Sequence, residues 1–210
     1  MSLIAQLRLE LANAAQAATQ ARPRAERTGQ VREAAVALVL RERADHDLDL
    51  LLIKRAEYEG DPWSGHMALP GGGWQATDSS LIHTAVRETH EETALLLDPS
   101  STQSLIGGLD VVQPRNPHLP PIRISPWVFA VPHDAEARVA SHEVQAVHWV
   151  RLGALADPAA HDSVEITFHN ANSPPTQRTF PCFRVEGEAV WGLTYRILQD
   201  FTARLRPTQR

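Results

Sequence analysis

Glu88, Glu91 and Glu92 stand at i, i+3 and i+4 within residues 79–97, a stretch free of glycine and proline. On a helix that spacing places three carboxylates on one face, where each uncompensated like-charge pair costs about 0.2–0.5 kcal/mol. A divalent cation among them turns the repulsion into a binding site. An all-oxygen donor set suits Mg²⁺ or Mn²⁺, whereas zinc prefers nitrogen and sulfur.

The elements that must position these groups are legible around them. Leu81, Ile82, Ala85, Val86, Thr89 and Leu96 recur near a period of 3.6, which predicts an amphipathic helix capped by Ser79 or Asp78. Just before it, Pro70 and the run Gly71, Gly72, Gly73 predict a turn whose backbone, lacking side chains, can approach a ligand closely. Residues 32–41 and 48–55 read as two strands joined as a hairpin, and their nearly continuous apolar runs suit strands covered on both faces. The second ends in Lys54 and Arg55, two cations that lead toward the glycines and are candidates for a phosphate contact. Residues 66–70 form a short strand entering the glycine run.

After the helix, residues 98–101 are a stop signal. Strands are expected at 104–112 and 122–131, with a proline-stiffened loop between them that presents Arg115, Asn116 and His118 as substrate-gripping candidates. A further strand spans 142–150 and carries one carboxylate, Glu143. A late hairpin, 163–169 with 177–185, turns around Asn170, Ser173, Pro174 and Pro175, and a terminal amphipathic helix opens at Trp191 and reaches about Leu205. At the other end, residues 2–20 read as a helix with an apolar side of Leu3, Ile4, Leu7, Leu9 and Leu11, which packs on the body or on a second subunit. Residues 21–30 follow as an arginine-rich linker. Residues 1–30 are thus helix and linker, and 31–210 one domain.

Composition bounds the function. With 43% hydrophobic and 21% charged residues, the 210-residue chain has the balance of a soluble globular protein. A net charge of −5 and a pI near 6.0 provide no general basic field for duplex nucleic acid. The one cysteine, Cys182, fits a reducing compartment and reads as a buried small hydrophobe. No run long and apolar enough to span a membrane occurs, and the N-terminus lacks a signal pattern, so a cytoplasmic location is expected. Ten histidines show no zinc-binding spacing.

From Gly73 through Arg87, Glu88, Glu91 and Glu92 to Leu95 the sequence resembles the Nudix hydrolase family, matching the glycine, Arg-Glu, Glu-Glu and late apolar positions of its box. Three positions depart: the first box glutamate falls on Ser79, with Asp78 one place earlier; the apolar place after Arg-Glu is Thr89; and the late glycine is Ala94, which predicts a helix running on toward Leu97. The resemblance implies an α/β fold, an α/β/α sandwich with a mixed sheet, and hydrolysis of a nucleoside diphosphate linked to another group. It implies metal ligation by Glu88, Glu91 and Glu92 and a support role for Arg87, paired with an acidic neighbour such as Asp78. Glu92 or Glu143 takes the proton from the attacking water.

The segment GDPWSGHMALPGG and the late WGLTYRIL are similar to the coenzyme A pyrophosphatase branch, although Gly73 and Gln75 stand where that branch has a basic and an acidic residue. Coenzyme A or an acyl derivative is the leading substrate, with ADP-ribose and other ADP-linked metabolites as alternatives. A nucleotide-binding module without turnover and a capped-RNA hydrolase are further readings. The partner is a small diphosphate, and a homodimer through the N-terminal helix stays open.

Overall fold

The computed structural model describes residues 3–19, 31–45, 47–59, 63–114, 121–170 and 173–205. Its elements, in order, are α1 (Leu3–Thr19), β1 (Arg32–Glu42), β2 (Leu48–Arg55), β3 (Met67–Ala68), β4 (Gly71–Gly73), α2 (Leu81–Thr93), β5 (Leu105–Gly108), β6 (Ile122–Val131), β7 (Val144–Arg151), two short 3-10 turns, β8 (His161–Asn170), β9 (Ser173–Val185), β10 (Glu188–Trp191) and α3 (Gly192–Leu205).

Seven strands form the main sheet in the order β3-β2-β1-β6-β5, with β4 on β1 and β7 on β2. The β1–β6 pair is parallel and the other pairs are antiparallel, so the sheet is mixed. The alternation of β1 and β2 explains its two covered faces. Ala35, Ala37, Val39 and Leu51 turn one way and pack with Trp127 and Phe129 against Ile82 and Ala85 of α2. Leu38, Leu40, Leu50 and Leu52 turn the other way and meet Ile4, Leu7 and Leu11 of α1 and Leu198 and Phe201 of α3. The result is an α/β/α sandwich in which each fully buried leucine or phenylalanine contributes about 1.5–3 kcal/mol.

Several expectations are corrected. Leu9 is 70% exposed, because the buried side of α1 runs through Ile4, Leu7 and Leu11 at helical spacing, and Leu9 falls opposite. That buried side packs on the chain's own body. The glycine run is a strand rather than a loop: Gly73, Gly72 and Gly71 pair with Ala34, Ala35 and Val36. The box helix stops at Thr93, and Ala94 caps it in the left-handed region (φ 57°, ψ 8°) instead of extending it toward Leu97. Beyond that cap Leu95 and Leu97 fold back into the α2-side core. Ser80, not Ser79 or Asp78, is the N-cap and accepts the His83 N–H. The strand expected at 142–150 begins at Val144, leaving His142 and Glu143 in the preceding turn. Pro174 and Pro175 lie in β9. A second, three-stranded sheet, β10-β9-β8, includes a strand, β10, that the sequence reading does not anticipate. The linker 21–30 and the loop residues Arg115, Asn116 and His118 lie outside the described residues.

Candidate metal and phosphate site

The site lies where β4, the end of β2 and α2 meet. β4 exists because β1 offers it an edge, and its glycines answer two distinct steric demands. At Gly71 (φ +152°) a side chain would lie 2.6 Å from the Cα of Val36, inside the sheet. At Gly72 it would lie 2.5 Å from the carboxyl carbon of Glu88. The second contact sets the Glu88 carboxylate directly against the backbone. Gly73 has open space around it.

Arg87 organises the rest. Its Nε and Nη2 donate to the two carboxylate oxygens of Asp78 at 2.9 and 3.0 Å, and Nη2 also donates to the Gly73 carbonyl at 3.0 Å. Nη1 reaches Glu88 at 2.8 Å and Glu91 at 3.1 Å. Asp78 is buried and further accepts the Gln75 N–H at 3.0 Å and the Thr84 hydroxyl at 2.9 Å. Burial opposes its ionisation, but Arg87 and these two donors hold its carboxyl below the usual range. One guanidinium thus joins the turn before α2, the β4 backbone and the carboxylate face of the helix.

Glu92 is the buried member of the triplet, 4% exposed. It accepts the Gly71 N–H at 2.8 Å, and its other oxygen is 4.0 Å from the Arg55 guanidinium. Desolvation pushes it up to about 8, opposed by the Gly71 N–H and reinforced by the charges of Glu88 and Glu143. Glu88 is raised as well, first by desolvation and further by Glu91 and Glu143, against the pull of Arg87. Glu143 is exposed in the turn before β7, and its carbonyl accepts the Ala56 N–H at 2.8 Å, tying that turn to the end of β2. Its charge reaches both Glu88 and Glu92.

The sequence-derived candidates therefore divide. The structure gathers Arg55, Gly71, Gly72, Gly73, Arg87, Glu88, Glu91, Glu92 and Glu143 around one junction, whereas Arg115 lies outside the described residues. Lys54 leaves the group: it points to the other face of the sheet and pairs with Glu188 at 2.7 Å. Among the described residues no three acidic or imidazole side chains converge on a single point. Glu88 and Glu91 turn to Arg87 while Glu92 turns to Gly71.

The donor chemistry nonetheless fits a hard divalent ion. All donors are carboxylate oxygens, two of them carry the desolvation cost that a cation relieves, and Glu91, with its side chain 53% exposed, has room to turn. Two supports escape sequence reading. Thr84 anchors Asp78 from a spacing of six that matches no regular pattern. The segment before Glu143 closes the helix end, with the Arg138 and Ala140 N–H groups donating to the carbonyls of Thr93 and Glu92.

The fold and this glycine–arginine–glutamate junction define a class that known proteins share. The NUDIX domain model matches residues 31–169. An uncharacterized protein of Schizosaccharomyces pombe is 30% identical over 195 residues, covering 85% of this chain and 58% of that relative, so the chain spans little more than half of its length. The uncharacterized Nudix hydrolase NudL of Enterobacter sp. (strain 638) is 30% identical over 179 residues, 83% of each. A MutT/nudix family protein from Enterococcus faecalis shares the fold, with a TM-score of 0.54 at 19% identity, covering 82% of this chain and 61% of that one. The chain belongs to the Nudix family. Nudix hydrolases generally use divalent metal ions.

Proposed function

We propose that the chain hydrolyses the P–O–P bridge of a nucleoside diphosphate joined to a second group, with Mg²⁺ or Mn²⁺ held by Glu88, Glu91 and Glu92. The observation that carries this reading is the convergence of Glu88, the buried Glu92 and the Arg55 guanidinium on the glycine strand. A divalent ion bound there supplies neutralisation of phosphate oxygens and a water of lowered pKa. The chain's own residues do the rest. Arg55 binds a phosphate oxygen of the substrate. The Gly72–Gly73 backbone lets the diphosphate lie close, because no side chain intervenes at Gly73. Arg87 is a positioning residue that fixes the glycine strand against the helix. Glu143 accepts the proton of the attacking water: it is outside the ligand triplet, exposed, and electrostatically coupled to both Glu88 and Glu92.

The leading substrate is coenzyme A or an acyl derivative, with ADP-ribose and other ADP-linked metabolites as alternatives. One contact favours the first. The two segments that resemble the coenzyme A branch meet in space, the His66 ring lying 4.5 Å from that of Trp191. A second reading, nucleotide binding without cleavage, draws on Arg87 already engaging two of the three glutamates.

Incubating a panel of diphosphate metabolites with Mg²⁺ or Mn²⁺ and resolving the products by mass decides between them. Cleavage of one class, reduced about 10²–10⁴-fold by Glu143→Gln and abolished by Glu92→Gln with nucleotide binding retained, is expected. Binding across the panel without turnover establishes the module instead.

A further inference from the structure

Three aromatic side chains of the second sheet, Phe168, Phe180 and Trp191, take no part in the chemistry above, and they are not core. Neither Trp191, Phe180 nor Phe168 belongs to the two hydrophobic clusters that hold the sandwich together. Register explains why. Val190 pairs with Phe183 and both turn into the core, so Trp191, paired with Cys182, turns to the opposite face, as does Phe180 two residues before Cys182. The rings form a continuous half-buried row: His66 to Trp191 at 4.5 Å, Trp191 to Phe180 at 5.2 Å with planes 38° apart, and Phe180 to Phe168 at 6.0 Å. Beside Trp191 the surface is open, since a side chain at Gly192 would meet nothing within 4 Å.

The row begins at the phosphate site. The Arg55 N–H donates to the His66 carbonyl at 2.9 Å, placing the two residues opposite each other on neighbouring strands, about 4.8 Å apart. The Arg55 guanidinium in turn reaches Glu92. A ligand whose phosphates lie at Arg55 therefore has a row of half-buried aromatic rings one strand away. Flat, sequence-tolerant stacking on aromatic rings is how proteins hold nucleobases without reading their edges.

We propose that Trp191 and Phe180, flanked by His66, form the surface on which the base of the bound nucleotide stacks. The inference rests on the diphosphate reading above and extends it: affinity for the nucleoside half comes from a sheet outside the catalytic junction.

Calorimetric titration of the full chain in Mg²⁺ with ADP and with inorganic pyrophosphate tests it. Wild type is expected to bind ADP about tenfold or more tighter than pyrophosphate. Trp191→Leu and Phe180→Leu should each remove most of that preference while leaving pyrophosphate affinity unchanged, which also shows that the variants are folded. Trp191→Phe, which keeps a ring, should retain most of it. An ADP preference that survives both leucine variants overturns the stacking surface and leaves the diphosphate reading standing. Equal weakening of both ligands assigns the rings a structural role and overturns it too. A dimer that dissociates on Trp191→Leu with the ADP preference intact gives the row to a second copy of the chain, again overturning the proposal. Failure of wild type to bind either ligand overturns the diphosphate reading and this inference with it.

Discussion

Arg87 grips Asp78 with two parallel hydrogen bonds, Nε to one oxygen at 2.9 Å and Nη2 to the other at 3.0 Å. The acidic partner thus sits one residue before Ser79, the position at which the family's box carries a glutamate. Ser79 bonds His83 instead, its Oγ 2.8 Å from Nδ1. The displacement is accommodated because Asp78 lies in the turn preceding the Ser80 cap, where the Gln75 N–H and the Thr84 hydroxyl can also reach it. A carboxylate bound by four donors on three sides is a joint between loop and helix, and Arg87 transmits its position to Glu88 and Glu91.

Asp78→Ala should break that joint. It leaves the Arg87 guanidinium, with its side chain 20% exposed, without its bidentate partner and the Thr84 hydroxyl with only its longer 3.4 Å bond to the Ser80 carbonyl. A loss of about 2–3 kcal/mol in urea unfolding is expected, together with a fall in kcat larger than any change in nucleotide affinity. A stability change under about 0.5 kcal/mol, within the range of an ordinary surface substitution, shows that Gly73 and Glu88 suffice to hold Arg87.

Two carboxylates give opposite pH dependences. Asp78, held below its ordinary value of 3.8, contributes stability that is present above that pH and lost as the solution is acidified through its folded pKa. Glu92 runs the other way. Its folded pKa, about 8, lies above the ordinary 4.5, so between those values the folded metal-free protein holds a proton that the unfolded chain has released. Stability is full below 4.5 and declines as pH rises toward 8. Denaturant midpoints measured in chelator across this window should fall with rising pH in the wild type and stay flatter in Glu92→Gln. Added Mg²⁺ or Mn²⁺, by stabilising the ionised carboxylate, should reduce the wild-type decline. A flat wild-type profile in chelator refutes the assignment.

Neighbouring glycines should respond differently to the same substitution. In Gly71→Ala the new methyl strikes the backbone of β1, which cannot yield without opening the β1–β4 pairing, and unfolding free energy should drop by about 3 kcal/mol or more. In Gly72→Ala it strikes the flexible carboxylate end of Glu88. The fold should survive with a loss of about 1 kcal/mol, while metal affinity and kcat fall because Glu88 is pushed off the strand. Equal destabilisation of the two variants contradicts this division.

How far the fold is legible follows from which forces act locally. β1, β2 and β6 emerge from their apolar runs because a strand covered on both faces needs no tertiary information to be recognised. The Glu88–Glu91–Glu92 face follows from helical periodicity, and the Arg87–Asp78 pair from charge and proximity. What stays hidden depends on partners distant in sequence. Gly71–Gly73 has poor strand propensity and is a strand only because β1 pairs with it. β10 is four residues long, and its signal is the preceding turn, Glu186 and Gly187, both at positive φ (50° and 84°), the arrangement that closes a tight hairpin. Lys54 and Arg55 look alike in sequence, yet strand alternation sends one to Glu188 and the other toward Glu92.

Ala94 is the residue at which local preference and tertiary packing disagree most openly. Alanine is the strongest helix former, so a chain lacking the usual glycine there reads as a helix that continues. The structure ends it nonetheless: Ala94 takes φ 57°, its N–H closes on the His90 carbonyl at 2.9 Å, and the Arg138 and Ala140 N–H groups satisfy the carbonyls of Thr93 and Glu92. Leu95 and Leu97 are buried as a result, which outweighs the roughly 1 kcal/mol that a non-glycine residue costs in this region. Ala94→Gly removes that cost but loosens the unfolded chain, which opposes part of the gain. A net stabilisation of about 0.5–1 kcal/mol is expected, read as a rise in denaturant midpoint at unchanged m-value. Metal-dependent turnover should be unaltered, since the carboxylates of Glu88, Glu91 and Glu92 keep their places on the helix. Destabilisation by glycine would show instead that residue 94 is helical in solution and that the helix does extend toward Leu97.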